Sequence, residues 1–116
     1  FLAQPNQPSS EGGEEPALVP STFTLSQNYP NPFNPSTTIS FEVVTTGASS
    51  PIPARLDIFN VLGERVATPF NAQVSPGIYS IDWNTNLGER KLASGVYFYR
   101  LQIGSETKTK KMVLLK

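Results

Sequence analysis

Gly95-Val96-Tyr97-Phe98-Tyr99-Arg100-Leu101-Gln102-Ile103, then Gly104-Ser105, then Glu106-Thr107-Lys108-Thr109-Lys110-Lys111-Met112-Val113-Leu114-Leu115-Lys116 decides the fold. In the first run Tyr97, Tyr99, Leu101 and Ile103 share one parity, against Phe98, Arg100 and Gln102 on the other. Alternation of this kind is the period of a half-buried strand. Gly104-Ser105 is a tight turn, so the two runs form a hairpin. The second run carries four lysines among β-prone apolar residues. Polar, frayed tails are common in soluble domains. This apolar run is expected to fold into a sheet and to leave cations on the surface, which suits a recognised segment better than an enzyme.

The same alternation recurs upstream. Ile39, Phe41 and Val43 oppose Thr38, Ser40 and Glu42. Leu56 and Ile58 alternate with Arg55 and Asp57, which places Asp57 on an outer face. Arg65 to Phe70 should pair back as a hairpin around Val61-Leu62-Gly63, with Gly63 at positive φ. Ser75-Pro76-Gly77 is a second turn, after which Tyr79, Ile81 and Trp83 share a face. Residues 45–53 form a loop, and Thr85 to Leu92 form a polar one. About seven short strands with turn signals between them, and no helical period, predict an all-β antiparallel sandwich.

Two segments break the pattern. Residues 28–36 hold Pro30, Pro32 and Pro35 among three asparagines. Proline removes ladder donors and extends the preceding residue, so this is a stiff loop, with Tyr29 and Phe33 expected to anchor it. Residues 1–22 hold Pro5, Pro8, Pro16 and Pro20 with Glu11, Glu14 and Glu15. Such a stretch buries too little apolar surface to offset its ordering entropy, and reads as a disordered or extended linker ahead of a domain at 23–116.

Composition narrows the function. The net charge is zero, but residues 1–50 carry four acids and no base, and residues 51–116 carry nine bases against five acids. That excess is too mild for a nucleic-acid binder. No apolar run approaches the roughly 20 residues of a membrane span. The start lacks the basic and apolar stretches of a signal peptide, which suggests a processed product or the tail of something larger. With neither His nor Cys there is no imidazole base, thiol nucleophile or thiolate metal site. Asp57, Glu64, Asp82 and Glu89 each fall on an outer face or turn, so no catalytic residue is assigned and no cofactor is expected. Asp82, Asn84, Asn86 and Gly88 have a hint of calcium-loop spacing. Leu87 and Ala93 stand where an EF-hand needs Gly and Glu, so Asx turns explain the run better and no metal is assigned. Tyr79, Trp83, Tyr97 and Tyr99 could form a sugar platform, but their company on each face reads as core.

Gln27-Asn28-Tyr29-Pro30-Asn31-Pro32-Phe33-Asn34-Pro35, Leu56-Asp57-Ile58-Phe59-Asn60-Val61-Leu62-Gly63, Gly77-Ile78-Tyr79 and the lysine-bearing final run occur here in that order. Together they resemble the type A C-terminal sorting domain of the type IX (Por) secretion system of the Bacteroidetes and their relatives. The resemblance covers about residues 23–116. It implies an Ig-like sandwich that ends a secreted cargo. It also implies partners: the upstream cargo domain, an outer-membrane export machine and a surface sortase-like protease. The destination would be the cell surface or the extracellular space.

The family's characteristic segments fall on Gly77 and Tyr79, on Gly95 and Tyr97, and on the terminal strand. Receptor recognition would thus rest on Gly95, Tyr97, Lys108, Lys110, Lys111 and Lys116. Gly77, Tyr79 and Trp83 would be structural, the glycines permitting close backbone approach. The rival reading of the lysines is protection of an edge strand against aggregation. The rival functions are an adhesive Ig-like surface module, akin to flagellar-hook-cap-type Ig domains, and then a carbohydrate-binding module. A sorting signal would have to end the polypeptide, whereas those modules tolerate extension.

Overall fold

The computed structural model describes residues 22–87 and 91–116. The linker read over residues 1–22 therefore lies, apart from Thr22, outside the described residues, as does Glu89.

Seven strands form two antiparallel sheets. They are β1 (Thr22–Leu25), β2 (Ser36–Thr45), β3 (Ile52–Phe59), β4 (Arg65–Val74), β5 (Gly77–Asn84), β6 (Gly95–Ile103) and β7 (Glu106–Leu114). One sheet has the order β1-β2-β5, the other β4-β3-β6-β7. The sandwich read from the alternation is thus present. Ile39, Phe41 and Val43 of β2 face Leu56, Ile58, Tyr99 and Leu101 of the other sheet, and all are buried. The β3–β4 hairpin turns on Gly63 at φ +84°, as expected. Its loop is held by Asn60 Oδ1, which accepts from the backbone N–H of Leu62 (2.9 Å) and Glu64 (3.0 Å). Ser75-Pro76 is a corner between the sheets and not a hairpin, since β4 and β5 lie in different sheets.

The two lateral seams are closed by different chemistry. On the β4/β5 side, Phe41 stacks on Tyr79 (centroids 5.1 Å apart), and Phe70 meets both edge-on. On the β1/β7 side, the fully buried Tyr99 donates to Ser26 O (2.7 Å) and accepts from Asn28 N–H (2.9 Å). Lys108 lays its ammonium 5.3 Å from the centre of the Phe23 ring beside it.

Three expectations need correction. Tyr29 is 81% exposed, and only its backbone pairs with Thr38. Asn28 anchors the loop instead, donating from Nδ2 to Thr37 Oγ1 (3.0 Å) and Pro30 O (3.1 Å). Its side chain is short enough to fold back onto a backbone turn, and tyrosine's is not. Asp57 does lie on an outer face but is only 3% exposed. Arg55 Nε (3.1 Å) and Thr68 Oγ1 (2.7 Å) donate to its carboxylate, and Arg100 lies 3.9 Å away. A buried carboxylate needs such partners. Trp83 is half-buried, packed against Phe33 (5.8 Å) at one end of the sandwich, and is not an enclosed core ring. Phe33, by contrast, is buried as anticipated. The peptide bonds before Pro30, Pro32 and Pro35 are all cis.

Burial pushes the Tyr99 phenol up from 10.0 to about 12, against the opposing hydrogen bond from Asn28. The folded state holds this proton more tightly than the unfolded chain does. Its stabilisation is therefore complete below pH 10 and is lost as pH rises from 10 towards 12. Urea titrations should show this loss as roughly 2–3 kcal/mol. Tyr99→Phe should remove that component and cost about 1–3 kcal/mol at neutral pH, because Ser26 O and Asn28 N–H lose their partner. A Phe variant as stable as the parent at pH 7 would contradict the tie. Trp83→Ala should cost about 2 kcal/mol, below the ~3–5 of an enclosed ring.

Candidate functional site

Gly77-Ile78-Tyr79 and Gly95-Val96-Tyr97 are two copies of one device. Tyr79 Oη donates to Ser75 O (2.9 Å) and accepts from Ser75 N–H (3.0 Å). Tyr97 Oη donates to Ala93 O (2.7 Å). In each the phenol reaches back four residues and clamps the chain where it enters a strand, the arrangement of a tyrosine corner. The glycines sit at φ +154° and +148° at the starts of β5 and β6. An added Cβ would meet nothing within 4 Å at either position. Close backbone approach is therefore not their role. The requirement is the dihedral, which residues with a side chain rarely adopt.

The Tyr97 ring is buried at 5% exposure. In the folded domain its visible work is to hold the start of β6. Trp83 borders a shallow cavity of about 460 Å³ with Pro30, Thr38 and Asp82. Thr38 Oγ1 donates to Asp82 Oδ1 (2.8 Å), and Asn84 Oδ1 accepts from Asn86 N–H (2.8 Å) in an Asx turn. These acceptors already serve the β2–β5 pairing and the turn that follows β5, and no group of three potential metal-ligating side chains occurs among the described residues.

The lysines do not form one ridge. Lys108 and Lys110 share the inward parity of Met112 and Leu114, but lie where the core has run out, so their ammonium groups emerge at the β1/β7 seam. Lys111 points outward beside Val113. Lys116 follows β7, its N–H donating to Ser94 Oγ (2.8 Å). In register, Phe59, Phe98 and Lys111 form one outer row across three strands, and Asp57, Arg100 and Thr109 the next. The Arg100 guanidinium lies 4.8 Å over the Phe59 ring.

One part of this site was not anticipated. The proline-rich loop runs along the free edge of β7. Phe33 N–H donates to Val113 O (2.9 Å), and Leu115 N–H donates to Phe33 O (3.0 Å). Val113 N–H donates to Asn31 Oδ1 (3.0 Å), and Gln27 Nε2 to Lys111 O (2.7 Å). The asparagines among prolines signal a loop that bonds backbone groups. Which strand receives those bonds, more than 80 residues away, is not written locally.

The seven strands in two antiparallel sheets, the clamped strand starts and the lysine-bearing edge strand define a small Ig-like sandwich. The chain belongs to the secretion system C-terminal sorting domain family, whose model matches residues 27–115. Its fold is similar to part of dimeric latent PorU from Porphyromonas gingivalis, with TM-score 0.66 and 19% identity, over 84% of this chain and 10% of that one. A β-glucosidase from Kluyveromyces marxianus aligns with TM-score 0.45 and 15% identity, over 82% of this chain and 15% of its own. No curated protein sequence matches significantly. The chain thus spans about a tenth of the PorU length.

Gly77→Ala and Gly95→Ala should each destabilise by about 1–3 kcal/mol despite the open space, because the cost is conformational. Denaturant midpoints measure this. A neutral Gly95→Ala would show that β6 can start with ordinary dihedrals.

Proposed function

We propose that the domain is a non-catalytic export signal of type IX secretion. Joined to an upstream cargo, it is recognised by the outer-membrane machinery and takes that cargo to the cell surface, where a sortase-like protease acts on it. Family membership over residues 27–115 carries this reading. The receptor reads the β6–β7 hairpin through Lys108, Lys110, Lys111 and Lys116. Gly95 and Tyr97 contribute by fixing where that hairpin starts, since the Tyr97 hydroxyl is spent on Ala93 O. Exposure of Lys108, Lys111 and Lys116 supports the role given to the cations.

The test fuses the full chain to a periplasmic reporter in a type IX-competent host. The reporter should become accessible to added protease on intact cells, and a fusion without the chain should stay inside. A full-chain fusion that stays periplasmic would overturn the sorting role. Replacing all four lysines with Gln should lower stability only modestly, since exposed side chains contribute within about 0.5 kcal/mol each and only the half-buried Lys110 and the contact of Lys108 with Phe23 add to that, so the variant should remain folded. Export should fall severalfold. Unchanged export by the folded Gln variant would rule out reading by charge.

A further inference from the structure

Resting on the export reading above, the geometry points to how β7 is recognised: by addition of an extended, acidic strand of the receptor to its open Thr107–Lys111 edge. The hairpin register pairs Ile103 with Glu106 across the turn, and Leu101 with Lys108 and Tyr99 with Lys110 beyond it. In an antiparallel pair, bonded residues alternate with residues whose N–H and C=O point away. On β7 the outward set is Thr107, Thr109, Lys111 and Val113. The bonds from Phe33 and to Asn31 confirm this parity at Val113.

The loop covers only part of this edge. Val113 is satisfied on both sides, and Lys111 O accepts from Gln27. No partner occurs among the described residues for the outward groups of Thr107 and Thr109 or for Lys111 N–H. These positions are exposed. An open edge is a template for another strand.

The other edges suit an acidic strand less well. β1 has four residues, β4 contains Pro69 and sits across register shifts, and β5 carries Asp82 and no base. The open part of β7 carries Lys108, Lys110 and Lys111. An added strand would align alternate side chains with Lys108 and Lys110 on one face and with Lys111 on the other. Carboxylates there give charge complementarity on both faces. Edge lysines discourage indiscriminate pairing while admitting a strand of opposite charge.

The test separates backbone pairing from charge and from folding. Thr109→Pro removes an outward N–H without touching the β6 ladder, and proline is tolerated where a strand's N–H faces solvent. Thr109→Val keeps the N–H. Ser80→Pro places the same ring on the β5 edge, where the pairing of Ser40 with β1 leaves Ser80 N–H outward. In the full-chain export assay, Thr109→Pro should lose export about tenfold or more. Thr109→Val and Ser80→Pro should export like the parent. Parental export by a folded Thr109→Pro variant, or equal loss by a folded Ser80→Pro variant, overturns edge addition while leaving the sorting role intact. Failure of the parent fusion overturns the sorting role instead.

Should Thr109→Pro not fold, a peptide titration of the unmodified chain decides. A synthetic peptide alternating Glu and Val, added to about 1 mM, should shift and protect the Thr107, Thr109 and Lys111 amides. A Lys–Val peptide should not. Absence of protection by the Glu peptide, or equal protection by both, overturns the proposal.

Discussion

The Tyr99 phenol is fully enclosed, and an enclosed hydroxyl without partners costs on the order of 1–3 kcal/mol. Here it takes both partners from the chain that leaves β1, donating to Ser26 O and accepting from Asn28 N–H. That one group fixes the opposite sheet's first strand against β6 in a chain with no cysteine to staple it. The constraint propagates. With its backbone held by Tyr99, Asn28 turns its amide onto Thr37 and Pro30, which sets the course of the proline-rich loop. The loop then places Asn31 and Phe33 along β7. Apolar burial supplies most of the driving force, but it is non-directional. The Tyr99 bonds determine how the β1 seam closes.

At the other seam the same residue type works differently. Tyr79 is half-buried, so its ring packs with Phe41 and Phe70 while its hydroxyl clamps Ser75 at the rim. Tyr97 does the same for Ala93. Both clamps follow a glycine in a conformation that a side chain disfavours, two residues before the tyrosine. The backbone there makes an abrupt entry into a strand, and the phenol holds it four residues upstream. The spacing Gly-x-Tyr is thus a strand-start unit, and its duplication sets where β5 and β6 begin.

This explains what could be read from the sequence alone. Alternation in β2 and β6 places Ile39, Phe41, Val43, Tyr99, Leu101 and Ile103 inward because a single period-2 pattern determines each face. Gly63 was legible as a turn glycine for a similarly local reason. Asp57 was not. Besides Arg55, its carboxylate is met by Thr68 and Arg100, which come beside it only once β3 is paired with β4 and β6. Trp83 lies on the inward parity but near the end of the sheet, where parity no longer guarantees enclosure. The lysines show the same limit: Lys108 and Lys110 share parity with the core yet emerge at the seam. The candidate site was therefore legible as a set of residue types on the last hairpin and the residues just after it. Its division into covered and open parts was not, because loop and strand meet through bonds between distant segments.

That division has a physical consequence. From Met112 onward β7 is built into the domain: Met112 and Leu114 fill the core, and the loop occupies the backbone of Val113 and Leu115. From Thr107 to Lys111 the strand pairs only with β6, and its side chains are charged or small. Changes in this second part remove little buried apolar area, so they act weakly on stability. A free edge invites pairing with other chains, and three cations within four residues counter that by mutual repulsion between copies. The same cations attract an acidic strand over a distance set by the ionic strength. Protection against self-association and the proposed selection of an oppositely charged partner would therefore be one property of this edge. Substituting the lysines changes both together, whereas blocking the Thr109 N–H acts on backbone pairing and leaves the field in place.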